Sequence, residues 1–298
     1  MASVTSANGS AADIGRLQGL WVLNYTPLIG NPHAADPPLL GPDFFPGAAI
    51  GCLSIQGDGG YAGFLQFNLG GSSARRDIEG ACTLTWDEDY AALCGEITVE
   101  GGGVVNTLFF VMRDPDALDW MIVDTTAPSP DGDGGKYRFQ LSGTMTRAQP
   151  VGDPALSTGA WTTLLNARLL RRTPGNPVTL GSDCSTEAAI VGVRFGADGS
   201  LTGGSRQNRF GRLPAAAPNA VSGHYTVQLN STLGIHEGTL TLDWDTSPND
   251  AVSSDTLAFV MRNTDTIDWV VTGTDRPDFS ATIACGTLHR VMPVTTRP

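Results

Sequence analysis

Short runs in which apolar and polar positions alternate dominate the chain, and clusters of turn residues separate them. Alternation with a period of two puts residues i and i+2 on one face of a strand. In the run ending at Arg113, Leu108, Phe110 and Met112 share a side and Arg113 lies opposite. An unpaired arginine is costly to bury, so the Phe/Met side should face the core. The same reasoning turns Leu118, Trp120 and Ile122 inward with Asp119 outward, and likewise Cys82, Leu84, Trp86, Phe139, Leu141 and Met145 inward. No segment shows a helical period. Turn chemistry at Gly57-Asp58-Gly59, Asp87-Glu88-Asp89, Gly101-Gly102-Gly103 and Asp114-Pro115-Asp116 bounds the strands. Eight strands are predicted, at roughly 17–26, 47–56, 61–70, 76–88, 93–101, 106–114, 117–126 and 137–148.

The pattern then repeats. Thr107–Arg113 (TLFFVMR) precedes Leu118-Asp119-Trp120, and Thr256–Arg262 (TLAFVMR) precedes Ile267-Asp268-Trp269 at the same distance. Gly19-Leu20-Trp21 answers Gly159-Ala160-Trp161, and Ala48-Ala49-Ile50 answers Ala188-Ala189-Ile190. Gly95–Val99 answers Gly238–Leu242, and Ser142–Arg147 answers Cys285–Arg290. Landmarks kept in one order mark an internal duplication. The organisation read from them is a flexible N-terminus over 1–15, a first repeat over 16–148, a Pro/Gly linker over 149–157 and a second repeat over 158–298.

Sequential hairpins predict an all-β fold of two tandem eight-stranded antiparallel up-and-down barrels. A β-sandwich is the rival. A barrel of this size either fills with side chains or holds one small ligand. The first wall would carry Tyr25, Phe67, Trp86, Phe110, Met112, Trp120 and Phe139, nearly all apolar. Such inward aromatics are more often core than ligand wall. In the second barrel Tyr225, Val227 and Leu229 face inward, and the same parity turns Ser205, Gln207 and His236 inward. The connection from Pro27 to Pro46 is long and holds Phe44 and Phe45, which suits a lid over the mouth or a loop docked on the other barrel.

The formal net charge of −12 disfavours nucleic acid and anionic membranes as partners, and no run reaches the length of a membrane span. Five cysteines, an odd number without a CxxC pair, and an N-terminus lacking an apolar stretch point to a cytoplasmic protein with free thiols. Lys136, the sole lysine, sits in a glycine-rich turn, a poor place for Schiff-base chemistry. The four histidines are scattered, and no nucleophile elbow, P-loop or dinucleotide fingerprint occurs, so no metal or cofactor is expected. Arg113 with Asp119, and Arg262 with Asp268, should pair across hairpins on the outer face. A homodimer is compatible with these features.

Gly19-Leu20-Trp21 with Arg147, and Gly159-Ala160-Trp161 with Arg290, resemble the lipocalin-like β-barrels, in which a terminal arginine covers the first-strand tryptophan. In size and duplication the chain is also similar to cofactor-free β-barrel enzymes of natural-product biosynthesis, the allene-oxide-cyclase-like barrels and lipocalin-like Diels–Alderases. That resemblance implies a cofactor-independent cyclase or isomerase acting on an apolar polyketide or terpenoid, with a non-catalytic carrier as the alternative. Tyr25 would polarise a substrate carbonyl, and Phe44, Phe45, Phe67, Trp86, Phe110, Met112, Trp120 and Phe139 would shape the substrate.

Overall fold

The computed structural model describes residues 14–30, 44–127, 138–171, 183–209, 218–245, 252–277 and 279–291. The first repeat contains β1 (Gly19–Tyr25), β2 (Leu28–Gly30), β3 (Phe44–Ile55), β4 (Gly60–Leu69), β5 (Ser72–Cys82), β6 (Thr85–Asp87), β7 (Ala92–Gly101), β8 (Val104–Asp114), β9 (Ala117–Thr125), β10 (Arg138–Gln140) and β11 (Ser142–Arg147). The sheet closes because β1 pairs with both β3 and β11. Around the barrel the order is β1, β3, β4, β5, β7, β8, β9 and β11. The remaining pieces continue these eight. Past Thr26-Pro27, β2 carries β1 onward against β3, and β10 pairs with β2 as β11 pairs with β1. After a short irregularity β6 carries β5 onward against β7 in unchanged register.

The second repeat builds the same barrel from β12 (Ala160–Arg171), β13 (Cys184–Phe195), β14 (Ser200–Arg209), β15 (Asn219–Asn230), β16 (Ile235–Asp245), β17 (Val252–Asn263), β18 (Thr266–Thr274), β19 (Phe279–Ile283) and β20 (Cys285–Val291). Here β12 closes the sheet, pairing with β13 on one side and with β19 and β20 on the other. The architecture is therefore two closed eight-stranded antiparallel barrels in tandem, not a sandwich.

Each barrel is shut at the end where its first strand begins. Arg147 lies 4.4 Å over the Trp21 ring, and Arg290 lies 4.6 Å over Trp161. Both indoles are fully buried and donate to nearby carbonyls, Trp21 to Leu17 and Trp161 to Leu156. Gly19 and Gly159 adopt φ of 132° and 86°, and a Cβ on Gly19 would stand 2.7 Å from Arg147 Nη1. The Gly-x-Trp spacing thus serves the seat of the arginine.

Alternation assigned most faces correctly. Leu118, Trp120, Phe110, Leu84, Cys82 and Met145 are all buried inside the first barrel. Trp86 is a correction: it is 56% exposed, and Leu229 in the second barrel is 57% exposed. The two occupy equivalent places. The pairing of β4 with β5 stops at Gly60↔Ala81, so beyond Cys82 the strand has no neighbour on that side. The hairpin overhangs the barrel end there, and an inward-pointing side chain meets water.

The barrels meet along a third apolar cluster. Leu20, Val22, Ala48, Ile50, Cys52 and Phe64 on the outer face of the first pack on Leu170, Ile235, Val260, Val270, Ala281 and Ile283 of the second. Asn68, buried, donates to the carbonyls of Val271 at 3.0 Å and Thr282 at 3.1 Å. Arg75 pairs with Glu237 at 3.0 Å and lies 3.7 Å over Phe64.

Candidate functional site

The open ends of the two barrels differ. In the second, Arg276 is almost fully buried and reaches Asp255 Oδ2 at 2.6 Å and Glu187 Oε2 at 2.9 Å. Trp244 Nε1 donates to the same Asp255 oxygen at 2.8 Å, and its ring lies under the guanidinium. All four side chains point into the barrel and stopper its mouth. Burial opposes the charged form of Arg276, but Asp255 and Glu187 outweigh it and raise the pKa. A buried charge keeps its place only when paired in this way.

Strand register identifies the counterparts in the first barrel. Trp161↔Val193 corresponds to Trp21↔Leu53, which places Gly47 where Glu187 stands. Trp244↔Ser253 corresponds to Gly101↔Val104, and Thr256↔Thr241 to Thr107↔Thr98, which places Gly101 at Trp244 and Asn106 at Asp255. The shared Leu-Asp-Trp and Ile-Asp-Trp landmarks place Ala127 at Arg276. Glu, Trp, Asp and Arg are thus replaced by Gly, Gly, Asn and Ala.

At Gly47 the room is taken by Pro27 and Leu69, but Gly101, Asn106 and Ala127 border a cavity of about 410 Å³, lined also by Tyr25, Leu65, Phe67, Ile78, Val99 and Ile122. Its volume falls within the range of small-molecule sites, roughly 300–1,000 Å³. Among the described residues Arg76, beside Phe67, is its one charged lining residue. A narrow extension of about 40 Å³ runs deeper, bounded by Leu23, Tyr25, Asn106, Leu108 and Trp120.

The polar groups at this depth are few. Tyr25 stands edge-on to Trp120, with ring centroids 5.1 Å apart. Burial, reinforced by Cys285, pushes its phenol well above the ordinary range, so it stays protonated. Asn106 Oδ1 accepts from the Thr125 hydroxyl at 2.7 Å, and that hydroxyl already accepts from Ala127 N at 3.1 Å. The Asn106 amide nitrogen is left to the cavity. Trp120 Nε1 is buried without a hydrogen-bond partner among the described residues.

Of the residues expected at the site, Tyr25 and Phe67 line the cavity and Trp120 forms its floor. Phe110 is fully buried below it, and Met112 packs against the same core, so both support the floor without facing the space. Trp86 is outside on the overhanging hairpin. The backbones of Phe44 and Phe45 pair with β2, and that of Phe139 with Ile29. Their side chains lie outside the described residues, as does the 31–43 segment of the expected lid. Gly101, Asn106 and Ala127 were not anticipated. Comparing the two repeats position by position would have exposed them, because the signal lies in what the first copy lacks.

Ser205 and His236 are buried and Gln207 is half-buried. Arg113 and Asp119 pair at 3.2 Å on the exposed surface. Arg262 and Asp268 pair at 2.5 Å, but Asp268 is fully buried under the first barrel, where it also accepts from Asn24. Among the described residues no cluster of His, Cys, Asp and Glu is arranged to hold a metal ion. No family model matches the chain, and no curated protein matches it.

Proposed function

We propose that the first barrel binds an apolar small molecule in its open cup and that the second is a solid companion barrel. One observation carries this reading. Where the second barrel is stoppered by Trp244, Arg276 and the charge of Asp255, the first has Gly101, Ala127 and the neutral Asn106 bordering an apolar cavity. Apolar walls with few polar groups favour a ligand of the same character. A neutral fluorophore such as N-phenyl-1-naphthylamine should bind saturably at one site per chain. Gly101→Trp restores the bulk that Trp244 supplies in the other barrel and should weaken binding at least tenfold while the protein stays folded. Unchanged binding would place the site elsewhere.

Conversion of the ligand, as by a cyclase or isomerase, is supported by Tyr25. Its protonated phenol faces the cavity and makes no hydrogen bond with the described residues. A donor so placed can polarise a carbonyl while the walls hold a reactive conformer. A polyene bearing a conjugated carbonyl should then be returned cyclised, and Tyr25→Phe should lower turnover more than affinity. Return of the precursor unchanged would leave the cup as a carrier.

A further inference from the structure

One polar group at the narrow extension of the cup is Trp120 Nε1–H. The indole is 4% exposed, bounds the floor of the cup and leaves its N–H without a partner among the described residues. Its counterpart Trp269 is equally buried, yet Trp269 Nε1 donates to Thr163 Oγ1 at 3.3 Å. The registers Leu23↔Gly51 and Thr163↔Val191 show that Leu23 stands where the second barrel has Thr163. One exchange, leucine for threonine, has removed the internal acceptor from the hollow barrel alone. A buried donor left unmade is costly, and native proteins retain few of them.

From this we infer that the cup recognises a ligand carrying a hydrogen-bond-accepting oxygen, a ketone or comparable carbonyl, which goes in first and takes the Trp120 N–H. The inference rests on the cup reading and adds the orientation of the ligand. Tyr25 and Asn106 bound the same narrow extension and supply further donors to the same oxygen. The apolar remainder of the ligand then extends past Phe67 and Ile122 toward the mouth.

The test uses a matched pair, butyrophenone and butylbenzene, in which a carbonyl replaces one methylene of the same skeleton. Both displace the fluorophore from the intact protein. In ¹⁵N-indole spectra the Trp120 signal, assigned by its loss in Trp120→Phe, moves downfield with butyrophenone and not with butylbenzene. Leu23→Thr supplies the oxygen that Thr163 provides elsewhere and keeps the indole. This variant, like Trp120→Phe, should weaken butyrophenone about tenfold relative to butylbenzene. Butylbenzene binding with an unmoved Trp120 signal on adding butyrophenone, or an unchanged ratio in Leu23→Thr, overturns the inference and leaves the cup standing. If neither compound displaces the fluorophore, the cup reading falls with it.

Discussion

At the scale of single residues, the two copies show how little is needed to empty a barrel. Gly101 for Trp244 and Ala127 for Arg276 alter only two side chains, but they separate a stoppered interior from a hollow one. The closing arginines over Trp21 and Trp161 were legible because the motif names both partners. The stopper was not, since Glu187, Asp255, Trp244 and Arg276 come from four separate segments and converge only after closure. Arg276→Ala should cost roughly 3–5 kcal/mol of stability by urea titration, because two carboxylates would lose their cation. The thiols give a pH dependence. Burial raises Cys82 to about 11, Cys184 to about 11 and Cys285 to about 12 from an ordinary 9.0. Between the ordinary and the raised value the unfolded chain releases these protons and the folded chain holds them, so stability falls as pH rises. The contribution is complete below pH 9.0 and is lost on passing through about 11 to 12. The urea midpoint should therefore drop between pH 8 and pH 11, and Cys82→Ala should lessen the drop.

At the scale of strands, alternation told which way a side chain points but not how high along the barrel it sits. Trp86 and Leu229 share the inward parity of Leu84 and Val227, yet both lie beyond the last paired residue of the neighbouring strand. Height depends on where the neighbour stops, which a single strand's pattern does not contain. Replacing Trp86 or Leu229 with Ser should accordingly change stability by no more than about 0.5 kcal/mol, the range of ordinary surface positions. The same change at Trp120 would strike the core. Breaks at Thr83-Leu84 and Leu141 divide strands that the pattern read as continuous, and β2 lies in what it read as a connection, but pairing resumes beyond each break and the barrel order is undisturbed.

At the scale of the whole molecule, one outer face of the first barrel lies against a different outer face of the second. The duplicated Arg–Asp pairs report this directly. Asp119 stays in water with Arg113, whereas Asp268 is sealed in the joint with Arg262, Asn24 and Thr287. Asp119→Ala should cost at most about 1 kcal/mol. Asp268→Ala should cost roughly 3–5 kcal/mol in urea titration, since it strands Arg262 in the joint. Because the mated surfaces are unlike, each barrel keeps one surface of the kind its twin has used, an arrangement that in principle propagates end on end into a fibre. The sticky ends have been blunted. Leu164 sits where Asn24 would grip the next aspartate, and Gly204 where Phe64 would wedge. Restoring both, as Leu164→Asn with Gly204→Phe, should turn a discrete particle into a concentration-dependent polymer visible by light scattering.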